Sequence, residues 1–197
     1  MKKVNRWLFC LTLGFALIAC NSNNDEAYTK KVVGKFVLAE RQTDLEIALE
    51  VKLELMLEDM LDEFEISTDM SIEYTDDYLP DHTMNKNGTI TIRFLDEEFD
   101  IIYGFSVSGK WRIENSKVVY SHDVNQLKIQ YVSNNASSVT GKFLVMFEDK
   151  ISESLYDGMK EYLLDLESDS PKITKLNNNE LVLNIDGEQV VYKKLGT

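Results

Sequence analysis

Apolar and polar residues alternate along most of this chain, which is the pattern of half-buried β-strands. Polar turns separate the alternating stretches, and the dipeptides Asn87-Gly88 and Asp186-Gly187 are typical of tight hairpins. The pattern predicts strands over residues 32–40, 66–75, 89–95, 99–113, 118–122, 127–132, 139–147, 181–185 and 189–195.

One segment fits two periodicities. Every odd position over residues 45–57 is apolar, as in a strand, yet the apolar stripe of a helix continues through Phe64. Strong helix formers fill this stretch, and Thr43 and Glu46 have the spacing of a capping box. We predict a helix over residues 44–64, with a strand as the alternative.

A second helix is predicted over residues 149–166, where apolar residues recur at helical spacing and Pro171 follows. The remaining strands follow one another in meander order. An antiparallel sheet of this size removes its exposed edges by closing, and a barrel of about eight strands can hold one small ligand. The sequence therefore predicts a mainly β fold with two helices, an antiparallel up-and-down barrel, with an open β-sandwich as the alternative.

A basic and apolar leader precedes this domain. Three basic residues in the first six positions are followed by an apolar run that ends at Ala19. The run is shorter than the roughly 20 residues that span a bilayer, so it is typical of a secretory signal. Its end, Leu17-Ile18-Ala19-Cys20, resembles the lipobox of bacterial prolipoproteins. The resemblance implies that residues 1–19 are removed and that Cys20 is lipidated.

These boundaries divide the chain into a signal peptide (1–19), a polar tether (20–30) and a single barrel domain (31–197). Asp25-Glu26, shortly after Cys20, resembles the surface-export signal of lipoproteins in Bacteroidota. We expect an outer-membrane lipoprotein, held by the lipid on Cys20, at the cell surface or on the periplasmic face.

Two segments of the domain itself are similar to segments of a known protein family. Residues 109–120, with Gly109-Lys110-Trp111, and the closing residues 173–194 are similar to segments of small lipocalin-like lipoproteins of Bacteroidota. The resemblance covers residues 32–195. It implies a calycin-like barrel, and it implies no particular ligand because most members have no defined activity.

Charge and cysteine content narrow the function classes. The chain has a net charge of −13, and loss of the leader removes basic residues only. This argues against binding to nucleic acid, whose phosphates require Lys and Arg. Cys10 leaves with the leader and Cys20 is lipidated, so the domain has no disulfide and its stability comes from packing.

Candidate catalytic and metal chemistry is sparse. His82 and His122 are the only histidines, too few for a zinc site, which needs three or four ligands. The acidic residues of 76–81 lack the spacing of a calcium-binding EF-hand. The acidic turn at 96–100 offers paired carboxylates, but such turns are usually solvated. We expect no metal, no cofactor and no enzymatic activity, with a hydrolase as the least favoured hypothesis.

Tyr103, Phe105 and Trp111 share one face of the strand over residues 99–113. They are the candidate ligand-lining residues, with packing in the barrel core as the alternative. We expect a lipid-anchored protein that binds a small apolar molecule or a peptide in the cell envelope. The alternative is an interaction module that holds another envelope protein through its outer face or the helix over residues 44–64.

Overall fold

The structure, a computed structural model, describes residues 25–39, 43–60, 67–95, 98–185 and 187–196. The predicted signal peptide and Cys20 lie outside these residues. The described part forms nine antiparallel strands: β1 (Gly34–Leu38), β2 (Thr68–Tyr78), β3 (Thr83–Phe94), β4 (Phe99–Glu114), β5 (Lys117–His122), β6 (Lys128–Asn134), β7 (Lys172–Leu176), β8 (Glu180–Ile185) and β9 (Glu188–Lys194).

Eight of these strands close into a barrel. Hydrogen-bonded neighbours run in the order β1-β2-β3-β4-β5-β7-β8-β9, and β9 pairs with β1 to complete the ring. The ninth strand, β6, pairs with the first half of β4, while β5 pairs with the second half of the same strand. The predicted closed antiparallel barrel is confirmed, and the sheet is not an open sandwich.

Four helices accompany the sheet in the described residues: α1 (25–32), α2 (Thr43–Met60), α3 (Val139–Val145) and α4 (Glu148–Asp169). The two helices predicted from periodicity are α2 and α4. Residues 61–64, the end of the first predicted helix, and the side chain of Thr43, its predicted cap, lie outside the described part. Helices α1 and α3 are additional.

Strands β2, β3 and β4 form what we call the continuous wall. The β2–β3 register runs from Thr68↔Phe94 to Tyr78↔Met84, and the β3–β4 register covers all of β3. Side chains alternate between buried and more exposed positions along β2 and β4. The predicted alternation is therefore realised here as a half-buried sheet.

The turn between β2 and β3 differs from the prediction. It lies at residues 79–82, whereas Asn87-Gly88 is in the middle of β3. A Cβ on Gly88 would lie 2.6 Å from the Cβ of Tyr74 and 2.7 Å from the Cε1 of Phe105. This glycine therefore makes room for two aromatic side chains instead of forming a hairpin turn.

The barrel is incomplete beside β2. Strand β1 pairs only with the last four residues of β2, from Thr75 to Tyr78. Helix α2 packs against β2, and the Glu46 carboxylate accepts a hydrogen bond from the Ile72 N–H at 2.9 Å. A buried N–H without a partner is costly, so α2 satisfies a strand edge that β1 does not reach. Residues 45–57 fold as a helix rather than as a further strand.

A second gap lies between β5 and β7, which share the single register pair Lys117↔Lys172. Helix α4 follows the rest of β5, where the backbone N–H of His122 donates to the Glu167 carboxylate. Helices α2 and α4 pack closely, because a Cβ on Gly158 would lie only 2.4 Å from the Cδ2 of Leu49. We call β5, β7, α2 and α4 the split wall.

Two further segments depart from the prediction. Residues 139–147 were expected to be a strand, but 139–145 form helix α3. The Ser138 side chain caps this helix by accepting from the Gly141 N–H at 2.8 Å, and this local bond outweighs the strand propensity of the valines. The predicted tether is helical from residue 25, and the Asp25 carboxylate accepts from the N–H groups of Asn115 and Ser116 at 2.9 Å each.

The inward side chains of the strands and the buried stripes of α2 and α4 form a hydrophobic cluster. Residues 25–196 thus contain a complete barrel with its core, and a chain that starts at Asn21 retains all of it. Among the described helices, none has the length and apolar character needed to cross a bilayer.

Candidate functional site

A cleft of about 620 Å³ opens between α2, α4 and the hairpin of β8 and β9. This volume lies within the range of about 300–1,000 Å³ that is usual for small-molecule sites. The apolar side chains of the lining are Leu45, Ala48, Leu166, Pro171, Ile185 and Val190.

The cleft exists because the wall is split. Ile185 and Val190 stand on the same face of the hairpin as the buried Leu183 and Tyr192, so the cleft reaches the inner face of the barrel. Helices, rather than strands, form its opposite side. A seamless barrel would have closed over this space.

Charged groups stand around the apolar lining. Lys52 on α2 forms an ion pair with Glu161 on α4. Lys117 and Lys172 line the cleft from β5 and β7. Three further carboxylates line it from α4 and from the start of β9: Asp165, Asp169 and Glu188. The site therefore offers an apolar interior and polar groups of both signs.

Tyr162 joins the cleft to the interior of the barrel. It lines the cleft, and it is close enough to three buried tyrosines to affect their ionisation. Burial, together with the neighbouring hydroxyl groups of Tyr192 and Tyr162, raises the pKa of Tyr74 well above its ordinary value. A ligand in the cleft would thus contact a side chain adjacent to the buried polar groups.

The centre of these groups is a buried ion pair between β2 and β3. Lys86 Nζ lies 2.8 Å from Oδ1 and 3.1 Å from Oδ2 of Asp76, and both side chains are less than 5% exposed. The ammonium group also lies 3.7 Å from the centroid of the Tyr74 ring, a cation–π contact. Burial lowers the pKa of Lys86, while the charge of Asp76 opposes that shift.

Four tyrosine hydroxyls pair around this ion pair. The Tyr74 and Tyr192 oxygens are 2.8 Å apart, and the Tyr78 and Tyr120 oxygens are 2.7 Å apart. Burial is the main cause that raises the pKa of all four hydroxyls, so they stay protonated at neutral pH. The pairs hold together strands that are not neighbours in the sheet, because one joins β2 to β9 and the other joins β2 to β5.

His122 extends this network toward α4. Its ring stacks on Tyr120, and its Nδ1 lies 3.4 Å from Oε1 of Glu167. Burial, together with the charge of Lys86, lowers the pKa of His122 to about 4. The imidazole is therefore neutral at neutral pH, and its contact with Glu167 is not an ion pair.

The predicted ligand-lining residues lie in the core of the continuous wall. Tyr103 donates from its hydroxyl to the Glu148 carbonyl at 3.1 Å, and Phe105 packs edge-on against Tyr74. The Trp111 indole N–H donates to the Thr83 carbonyl at 3.0 Å. All three side chains are buried, and none of them lines the cleft. Their role as ligand contacts stays a prediction.

The candidate metal ligands do not converge. Asp76 is bound to Lys86, whereas Asp81 accepts from the backbone and hydroxyl of Thr83 in the turn. His82 lies in that exposed turn, while His122 is buried in the interior. No group of three or more potential ligands for a metal ion occurs among the described residues.

Sequence reasoning missed the cleft residues. The strands β5, β8 and β9 and the helices α2 and α4 were predicted, but β7, which carries Lys172, was not. The cleft also depends on how the helices fill the two gaps of the barrel. One signal was available, because Gly158 interrupts an otherwise strong helical stripe. A glycine in that position often marks the close approach of another element.

Comparison of the chain with protein-family models finds no match. Comparison with curated proteins finds none either.

Proposed function

We propose that this chain is a lipid-anchored, non-enzymatic binding protein of the cell envelope, whose cleft takes a small ligand with an apolar body. The single observation that carries the proposal is the cleft of about 620 Å³ at the split wall, with its apolar lining and converging polar groups. Such a combination is the usual character of a ligand site.

The composition of the interior supports binding rather than catalysis. Most of its ionisable groups are paired with one another, as in Asp76 with Lys86 and Tyr78 with Tyr120, whereas the buried ring nitrogens of His122 have no hydrogen-bond partner among the described residues. Buried networks of paired groups make a core rigid and specific. The buried pairs do not line the cleft, so the side chains of the cleft lining are the ones that contact a ligand.

The test uses the soluble chain from Asn21 onward and the neutral probe N-phenyl-1-naphthylamine. Ala48 lines the cleft from α2 and is exposed, so Ala48→Trp fills the space without disturbing the core. We expect probe fluorescence to rise on binding to the unmodified chain and at least tenfold weaker binding to the variant. Ile47→Trp is the matched control, because Ile47 is exposed on the same helix and does not line the cleft. Equal binding to all three proteins would reject the cleft as the site.

The anchor rests on Leu17-Ile18-Ala19-Cys20 behind the basic leader. Two or more acyl chains hold a protein stably at a membrane, since each buried CH₂ contributes about 0.8 kcal/mol. We expect Cys20→Ala in the full chain to abolish labelling with radioactive palmitate and to release the protein from membranes. A variant that is still labelled and still membrane-bound would show that the lipobox interpretation is wrong.

A second candidate, an interaction module, is favoured by the surface around β6 and α3. Residues 124–147 contain no acidic residue in a chain of net charge −13. In the described part, β6 pairs with β4 only, so its other edge has no strand neighbour. This surface exposes Tyr131, Val132, Val139, Phe143 and Met146. An extended segment of another envelope protein would add to such an edge by strand pairing.

This second candidate is tested in the host with a photo-crosslinking residue at Val132. Leu195, directly after β9, is the matched control, because it is apolar, 41% exposed and not part of the surface around β6 and α3. A discrete adduct from position 132 alone would support the module. The same adducts from both positions, or none from 132, would reject it.

A further inference from the structure

We propose that Lys117 and Lys172 bind the anionic headgroup of an amphiphile whose apolar chain lies in the cleft. The inference rests on the proposed function and names the class of ligand. The ligand is a monoanionic amphiphile, such as a fatty acid or a lysophospholipid with one phosphodiester charge.

The two lysines are held side by side by the fold. They are direct partners in the single register pair between β5 and β7, so their side chains point to the same face, and both line the cleft. Hydrogen bonds on either side fix this register: Val118 N–H to the Pro171 carbonyl at 2.8 Å, and Ile173 N–H to the Ser116 carbonyl at 2.9 Å. The sheet thus fixes the backbone positions of the two lysines, whose side chains are exposed.

A bound anion would relieve the repulsion between these two exposed side chains. Like charges directly opposite each other in a sheet are destabilising. Neither lysine forms an ion pair with a residue in the described ranges, whereas Lys52 pairs with Glu161 and Lys175 pairs with Glu180. Two adjacent cations beside an apolar cleft match an anionic headgroup followed by a hydrocarbon chain.

The carboxylates of the cleft disfavour a ligand with several negative charges. Asp165, Asp169 and Glu188 also line the cleft. They oppose a second or third negative charge on the ligand, because like charges in a partly desolvated site repel strongly. A monoanion is therefore preferred over a polyanion.

The lysine pair also lies at the end of the molecule where the chain enters the domain. Asp25 binds the N–H groups of Asn115 and Ser116, and Lys117 is the next residue. The five residues from Cys20 to Asp25 reach at most about 18 Å when fully extended. A lipid on Cys20 would hold this end of the cleft close to the bilayer, where amphiphiles are available.

The experiment compares two probes of similar size on the chain from Asn21 onward. One is the anionic 1-anilinonaphthalene-8-sulfonate, and the other is the neutral N-phenyl-1-naphthylamine. For each probe, binding to the cleft is taken as the fluorescence of the unmodified chain minus the fluorescence that remains in Ala48→Trp. We expect the double variant Lys117→Met/Lys172→Met to bind the anionic probe at least tenfold more weakly, with neutral-probe binding changed less than twofold.

The matched control is Lys110→Met/Lys142→Met, which removes the same charge from exposed lysines that do not line the cleft. It should leave both affinities unchanged. Because the lysine pair is repulsive, the cleft variant should also unfold at the same or a higher temperature, which excludes a loss of fold. Displacement of the anionic probe by dodecanoate and by lauroyl-lysophosphatidylglycerol then distinguishes a carboxylate from a phosphodiester ligand.

Unchanged binding of the anionic probe to the double variant would overturn this inference but not the proposed function. An equal loss for both probes would do the same. Absence of binding of either probe to the unmodified chain would reject both.

Discussion

The continuous wall and the split wall differ in what pairs with the edge of a strand. In the continuous wall both edges of β3 are covered by strands from Met84 to Phe94. In the split wall a helix carboxylate takes the place of a strand: Glu46 accepts from Ile72, and Glu167 accepts from His122. Both arrangements satisfy the buried backbone.

The difference determines where a ligand can enter. The continuous wall buries a packed layer of aromatic side chains and the Asp76–Lys86 pair. The split wall leaves the cleft between its two helices and β8–β9. The candidate site therefore lies on the side of the barrel where helices, rather than strands, complete the wall.

The largest expected effect comes from breaking the ion pair of the continuous wall. Lys86→Met leaves the Asp76 carboxylate buried without its cation and should lower the free energy of unfolding by about 3–5 kcal/mol. Chemical denaturation of the chain from Asn21 measures it. The double variant Asp76→Leu/Lys86→Met should recover most of the loss. A single variant as stable as the parent would mean that Asp76 is not buried.

The next effect is the pH dependence contributed by His122, where the two walls meet. Its pKa is about 4 in the folded chain and near 6.5 when unfolded, so the unfolded state binds more protons between these values. The contribution of His122 to the free energy of unfolding is fully present above pH 6.5. It falls by about 3 kcal/mol as the pH is lowered to 4. Lys86, Tyr120 and Glu167 face the ring.

His122→Phe should remove this part of the pH dependence, as measured by denaturation at several pH values. His82→Phe is the control, because His82 lies in an exposed turn. Identical pH profiles for the parent and His122→Phe would contradict the assignment.

A smaller loss in the free energy of unfolding is expected when the contact of α2 with the edge of β2 is removed. Glu46→Ala leaves the Ile72 N–H without its acceptor and should cost about 1–3 kcal/mol. Glu58→Ala, an exposed site on the same helix, should change stability by less than about 0.5 kcal/mol. Hydrogen exchange at Ile72 would check the cause, since its protection should fall only in the first variant.

The smallest effect concerns the contact between the two helices of the split wall. Gly158→Ala places a Cβ against Leu49, which costs about 1–3 kcal/mol, but it also raises helix propensity by about 1 kcal/mol. We expect a net loss of about 1 kcal/mol, recovered when Leu49→Val is added. A stabilising Gly158→Ala would show that α2 and α4 are further apart than the structure places them.

The two walls also differ in how far the sequence predicts them. Most of the continuous wall follows from alternation, because its strands pair with sequence neighbours and most inward residues are apolar. The buried ion pair of Asp76 and Lys86 lies outside the predicted strands, since nothing in the local pattern marks two charged residues as buried. Even there, Gly88 was taken for a turn, because the ring contacts that require a glycine come from strands distant in sequence. Short-range signals do not contain that information.

The split wall could be predicted only in its parts. The stripe over 149–166 predicted α4, and the capping and propensity of 44–64 predicted α2 over its described length. The register of Lys117 with Lys172, and the two glutamates that cover strand edges, depend on tertiary packing. The candidate site lies among these residues, which explains why Tyr103, Phe105 and Trp111 were chosen instead.

Native mass spectrometry shows whether the cleft of the split wall carries a ligand. The full chain is extracted from host membranes, with Ala48→Trp and Ile47→Trp prepared in parallel. We expect one discrete small-molecule adduct on the parent and on Ile47→Trp, and its loss from Ala48→Trp. An adduct retained equally by Ala48→Trp, or no adduct on any of the three proteins, would contradict this expectation.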